Sequence, residues 1–339
     1  MKCRLTLGLG LSLFCMMWSP LVYGQIPKDG SPGRPLEKMG PFSAWSEPVN
    51  LGPSINTQYT EFHMAISADE LSVFFSSDRP EGSFGMADLW VAERPSRDDD
   101  WGSARNLGSK FNTPSNENCP ALSPDGHWLF FCSAGLGGFG LSDIFAAFRE
   151  NISDNFGWKD PINLGGGVNS RCADGDPTLF VDPETGGLTM YFASTRPPGP
   201  GNCGDFHIYM STLGDDGAFG PAVLVPELSS PARDAHPTIR SDGLEIFLAS
   251  NRPGSVGPPI APAIDLWVST RPTTHDAWST PVNLGPTVNT LADERAPYLS
   301  ADGQRLYFTS DRTDRPGGFG ENDFYVITRK KLADESVIR

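Results

Sequence analysis

A unit of about sixty residues recurs five times along this 339-residue chain, and a period of that length restricts the fold to stacked or circularised copies of one supersecondary unit. Each copy has three pieces. The first is an aromatic followed by Asn-Leu-Gly, in Trp45 to Gly52, Trp101 to Gly108, Trp158 to Gly165 and Trp278 to Gly285, with Phe219 to Pro226 as a degraded copy. It reads as a strand ended by a glycine turn. The second is a hairpin, plainest where Ala296 to Leu299 and Leu306 to Ser310 flank Asp302-Gly303. It recurs around Asp69-Glu70, Asp125-Gly126 and Asp242-Gly243, and with a longer turn over Asp182 to Gly187. The third is a Gly-rich loop leading into a strand near Asp88, Asp143, Asp205, Asp265 and Asp323.

Short strands dense in aromatic and β-branched residues, joined by loops that use much of the chain's 37 Gly and 31 Pro, leave little room for helices. The expected fold is all-β: a five-bladed β-propeller of four-stranded antiparallel blades over residues 43–329. The chain opens on an isolated outer strand, Ala44 to Leu51, and ends on a third strand, Asp323 to Thr328. The N-terminal strand is therefore expected to complete the last blade and close the ring.

The segments Ser77-Asp78-Arg79-Pro80, Ser123-Pro124-Asp125-Gly126, Gly137-Gly138-Phe139-Gly140, Asp143-Ile144-Phe145 and Pro281-Val282-Asn283-Leu284-Gly285 together resemble the WD-like β-propeller repeats of the TolB-type family. The version found in cell-envelope proteins that also carry an OmpA-like domain is the most similar. The resemblance runs from about Ala44 to Arg329. It implies a propeller that binds protein or glycan partners in the bacterial envelope, with no shared catalytic residues. This chain departs from that pattern in having only a short tail, 330–339, after the last repeat, so anchoring through a peptidoglycan-binding domain is not expected.

The first 24 residues read as a signal peptide: Lys2 and Arg4, an apolar run from Leu5 to Trp18, then a small-residue cleavage site ending at Gly24. A flexible segment, 25–42, follows. No later apolar stretch approaches the roughly 20 residues that span a bilayer, so no membrane insertion is expected after cleavage. The expected location is periplasmic or extracellular, and the expected state a monomer. A formal charge of −15 disfavours nucleic acid and anionic lipid as partners. Of the six cysteines, Cys119, Cys132, Cys172 and Cys203 lie beyond the signal, in a spacing that matches no zinc motif. Centring the second hairpin on Asp125-Gly126 sets Cys119 across from Cys132, and Cys172 and Cys203 fall in loops of the third copy. Disulfides Cys119 to Cys132 and Cys172 to Cys203 are expected.

Candidate ligand-binding residues sit at the start of each innermost strand, where Glu61, Glu117, Asp174, Asp234 and Glu294 precede a Pro, or Met64 in the first copy, by three positions. At a channel mouth they would form an acidic ring able to hold Ca²⁺, whereas in a purely structural role each would make the same local hydrogen bonds in its own blade. No other cofactor is expected. Two residues further on, the copies diverge to His63, Cys119, Asp176, His236 and Ala296. Residues two apart on a strand share a face, so Glu61 with His63, Asp174 with Asp176 and Asp234 with His236 would present paired polar groups. His63 and His236 belong to the first and fourth copies, which are not neighbours in a ring of five and so are not expected to meet, and neither a catalytic nor a zinc role is expected of them. The Arg of each Ser-x-Arg segment (Arg79, Arg196, Arg252, Arg312) is expected to pair with the Asp opening the third strand, and Phe84, Phe139 and Phe319 either stack on sugars or cap blade edges. Two classes of function stay open: a non-enzymatic propeller that binds an envelope protein or glycan through channel-mouth loops, and a glycan-active hydrolase or lyase using channel-mouth carboxylates.

Overall fold

The computed structural model describes residues 41–313 and 318–332. The signal-peptide reading, most of segment 25–42 and the end of the tail lie outside them. The described chain contains β1 (Val49–Asn50), then a first blade of β2 (Glu61–Ile66), β3 (Ser72–Ser77), β4 (Asp88–Glu93) and β5 (Arg105–Asn106). Blade two is β6 (Glu117–Leu122), β7 (Trp128–Ser133), β8 (Asp143–Phe148) and β9 (Ile162–Asn163). Blade three is β10 (Asp174–Val181), β11 (Leu188–Ser194), β12 (His207–Thr212) and β13 (Val223–Leu224), its third strand starting two residues later than Asp205. Blade four is β14 (Asp234–Ile239), β15 (Glu245–Ser250), β16 (Asp265–Thr270) and β17 (Val282–Asn283); β18 (Glu294–Leu299), β19 (Arg305–Ser310) and β20 (Asp323–Thr328) remain for blade five. All strand pairings within the blades are antiparallel, and β1 takes the fourth place in blade five beside β20, with Val49 opposite Val326. The molecule is a five-bladed β-propeller closed by its N-terminal strand.

The closing strand is shorter than the expected Ala44 to Leu51. Only Val49 and Asn50 form a ladder; Ser46 and Ser43 donate single backbone hydrogen bonds to Thr328 and Lys330, and Phe42 forms an isolated bridge with Lys331.

Each second strand is buried on both faces, which is why it reads as a continuous apolar run rather than an alternating one. In β3, Phe74 points towards blade two, among Leu129, Phe131 and Trp158, while Phe75 points towards blade five, among Phe324 and Tyr307. Phe130 and Phe131 in β7, and Phe247 and Leu248 in β15, divide in the same way. Five apolar clusters result, one at each junction between neighbouring blades. The hydrophobic core is thus a set of radial walls around an axis.

Polar staples repeat with the blades. A second Asn, six residues after that of Asn-Leu-Gly, clamps the neighbouring third strand: Asn112 accepts from the Leu89 N–H at 2.8 Å and donates to the Leu89 carbonyl at 3.0 Å. Asn56, Asn169 and Asn289 do the same at Phe324, Ile144 and Leu266. Outside the axis, Arg94, Arg149, Arg271 and Arg329 each lie over the repeat Trp, at 4.3–4.4 Å from the ring centre, and donate through Nε to a carbonyl of the hairpin turn.

Candidate functional site at the propeller axis

The five innermost strands share a local defect that decides what faces the channel. Each has a shift in register just after its first two residues, a β-bulge, and each places one residue there in the left-handed region: His63 (φ 44°), Cys119 (59°), Asp176 (54°), His236 (54°) and Ala296 (47°). These are the five positions at which the copies diverge. A non-glycine residue pays about 1 kcal/mol or more for this conformation, and bulges commonly serve to redirect a side chain.

The consequence corrects one expectation. His63 and His236, from blades that are not neighbours, meet across the narrow axis with ring centres 4.9 Å apart at a steep mutual tilt, and Phe62 sets its edge against both. Asp176 from blade three lies between them. Its Oδ1 is 3.1 Å from His63 Nε2, its Oδ2 is 3.5 Å from His236 Nε2, and the His236 backbone N–H donates to Oδ2 at 3.1 Å. His236 Nδ1 accepts from the Ala296 N–H at 3.3 Å, which places the ring proton on Nε2, towards Asp176. Desolvation holds the His236 imidazole down at about 3 against the pull of Asp176, so it is neutral at ordinary pH. Burial pushes the Asp176 carboxyl up, but the polar groups around it, His63 beside Oδ1 and the more distant Arg233 among them, outweigh it and keep it well below the usual carboxylate range.

This trio forms the floor of a cavity of about 300 Å³. Pro120, Pro177, Pro237 and Pro297, the residues after the bulge, line its lower wall; Tyr298 and Phe180 stand higher, and Ala68, Gly126, Ser241 and Ala301 mark its mouth at the hairpin turns. The Tyr298 hydroxyl donates to the Ile66 carbonyl at 2.7 Å, and burial pushes its pKa well up, so it serves as wall rather than as acid.

Glu61, Glu117, Asp174, Asp234 and Glu294 do not line this cavity; they begin the inner strands at the opposite end, and all are buried inside their blades. Each accepts from the backbone N–H and hydroxyl of a Thr or Ser four residues earlier and from the Ser ending the second strand. In blade one these bonds run from Thr57 N and Oγ1, both at 2.7 Å, and Ser77 Oγ at 3.0 Å. Burial raises the Glu61 carboxyl and pushes Glu294 up to about 7, opposed by these donors and by an arginine. The geometry is that of five local braces rather than a ring of oxygens converging on one Ca²⁺.

The partner of the Ser-x-Arg arginines also differs from expectation. Arg79, Arg196, Arg252 and Arg312 pair with Glu61, Asp174, Asp234 and Glu294, not with the Asp of the third strand. The hairpin register sets Ser77 opposite Glu61, so an Arg two residues later folds back over that carboxylate. Asp88 instead accepts from Asn106 at 2.7 Å and from the Phe84 N–H at 2.7 Å, with Asp143, Asp265 and Asp323 bonded alike to Asn163, Asn283 and Asn50.

Both disulfides form as expected, Cys119 to Cys132 and Cys172 to Cys203. The bulge moves the register so that Asn118, not Cys119, lies opposite Cys132. Phe84, Phe139 and Phe319 are between 40% and 55% exposed, in loops at the end of the blades where the inner strands begin, away from the cavity mouth. Among the described residues no helix is long and apolar enough to cross a membrane.

No protein-family model matches the sequence, and a search of curated proteins finds no match. The shape does recur among solved structures. An N-acetylgalactosamine deacetylase from F. plautii, in complex with blood group B trisaccharide, aligns with a TM-score of 0.56 and 11% identity over 85% of this chain and 96% of that one. An alpha-L-arabinofuranosidase from Lactobacillus brevis aligns at 0.55 and 13% identity over 84% and 94%. TolB from Acinetobacter baumannii gives 0.48 and 15% identity over 87% and 66%. The likeness is one of fold. At these identities it carries no activity across.

Proposed function

We propose that the protein is an exported glycan-active hydrolase whose reacting centre is the floor of the axial cavity. The observation that carries this reading is the break in five-fold likeness at the bulge positions. Four of the five carboxylate braces each carry an arginine at the equivalent position, yet the ring two residues on holds two imidazoles and a carboxylate beneath a pocket open to solvent. Buried polar groups converging under a concave, largely apolar wall are the usual setting for small-ligand chemistry.

The familiar pair of carboxylates set roughly 5–9.5 Å apart does not fit, because Asp176 is the one acidic residue among those lining the cavity. Asp176 and His63 instead stand side by side, Oδ1 3.1 Å from Nε2, a carboxylate and an imidazole able between them to take a proton from water or a hydroxyl. The volume lies at the low end of small-ligand sites, about 300–1,000 Å³, and suits one sugar-sized group rather than a folded partner. The acidic chain favours a neutral substrate. Structures of similar shape named as an alpha-L-arabinofuranosidase and an N-acetylgalactosamine deacetylase support this reading.

The test is hydrolysis of a panel of neutral and acylated oligosaccharides by the wild type, His63→Ala, Asp176→Asn and the surface control His275→Ala. Loss of turnover by a factor of roughly 100 or more in the first two, with their melting temperatures held, is the expected outcome. Turnover that survives His63→Ala, or saccharide binding with no turnover by the wild type, would remove the hydrolase reading.

A further inference from the structure

The same floor has the composition of a metal centre. We propose that His63, Asp176 and His236 bind one divalent transition-metal ion, zinc being the chemistry best suited to two imidazoles and a carboxylate, with its remaining positions open to the cavity. The proposal deepens the hydrolase reading and rests on it for what the ion would do; the binding itself stands on these three side chains.

Geometry supports it first. Ligand atoms about 2.0–2.1 Å from a tetrahedral ion lie about 3.3 Å from one another. Asp176 sets Oδ1 3.1 Å from His63 Nε2 and Oδ2 3.5 Å from His236 Nε2, and with one ligand atom taken from each residue all three lie within 4.8 Å of one another, so a modest contraction brings them to that spacing. Second, neither ring nitrogen of His63 has an aligned hydrogen-bond partner, although the residue is only 9% exposed and its Nε2 points at the trio. Buried nitrogens are rarely left so unless something absent from the protein chain completes them. Third, Asp176 is buried without a Lys or Arg within ion-pair distance among the described residues, and buried carboxylates are ordinarily paired or bound to a metal. Arg233 and Arg295 act on the site from further off, and their charge opposes a cation.

Two neighbours shape the site. Cys119 occupies the same ring, with Sγ 3.0 Å from Asp176 Oδ1, but its disulfide to Cys132 withholds a thiolate, so an open position faces the pocket. His236 is the ligand that must adjust, because taking the ion on Nε2 requires the long contact of its Nδ1 with the Ala296 N–H to open.

The full mature protein is stripped with chelator, dialysed, and titrated with Zn²⁺ and separately with Co²⁺. One tight equivalent per chain is expected, with a visible Co²⁺ band reporting nitrogen and oxygen ligands on the unaltered protein. His63→Ala and Asp176→Asn should each weaken binding by more than the roughly 10–100-fold typical of outer-shell changes, while His275→Ala, which removes the exposed His275–Glu184 pair, should bind as the wild type does. A wild type without a tight equivalent, full binding by His63→Ala, or a Co²⁺ band lost only in His275→Ala would overturn the proposal. Metal bound without any turnover supports the site and sinks the hydrolase reading; turnover undiminished after complete stripping, with no rebinding, does the reverse.

Discussion

Arg252 shows how one side chain serves two ends. Its Nη2 reaches Asp234 Oδ1 at 2.5 Å and the Leu228 carbonyl at 2.8 Å, its Nε meets Ser250, and its guanidinium lies over Trp267. Arg252→Ala leaves a fully buried carboxylate without its cation, and a loss of about 3 kcal/mol is expected, read as a lower urea midpoint at unchanged slope. An unchanged midpoint would show that the remaining donors suffice, as they do for Glu117, which among the described residues has Thr113 and Ser133 but no arginine. The recurrence of Ser-x-Arg is legible in the sequence; its partner is not, because two acidic residues recur with the same period and only hairpin register selects between them. The Arg over each repeat Trp was equally available to inspection. Where blade three loses it, as Leu213, the Trp is also lost, as Phe219, and such paired change signals contact.

At the level of strands and hairpins, the sequence specifies nearly every element, because alternation, Asp-Gly turns and Asn-Leu-Gly each have a local physical cause. The bulge escapes that reading. It adds one residue to an inner strand without altering composition, so strand periodicity alone pairs Cys119 with Cys132 in register. The Pro at the next position in four of the five copies is the trace it leaves, since Pro cannot donate to the ladder and favours such irregular sites. The two-residue β1 makes a second element-scale point: its ladder is minimal, yet Trp45 packs under Arg329 and against Phe247. Deleting residues 41–52 is expected to lower the melting temperature by several degrees and to expose blade five to proteolysis first; an unchanged melting temperature would mean that the ring closes without it.

The whole molecule reconciles a repetitive sequence with an asymmetric centre. Five apolar walls and five sets of polar braces need the copies to be alike, and they are. At the axis the inner strands come close enough for single residues of blades one, three and four to touch, so three substitutions within otherwise equivalent positions suffice to build a site. That convergence depends on closure of the ring, which is why periodicity revealed the propeller and not the trio. Diffraction from crystals soaked in concentrated neutral monosaccharides tests this most directly. Sugar density in the axial cavity over His63, Asp176 and His236 is expected; density confined to the loop aromatics Phe84, Phe139 and Phe319, with the cavity holding only solvent, would contradict it.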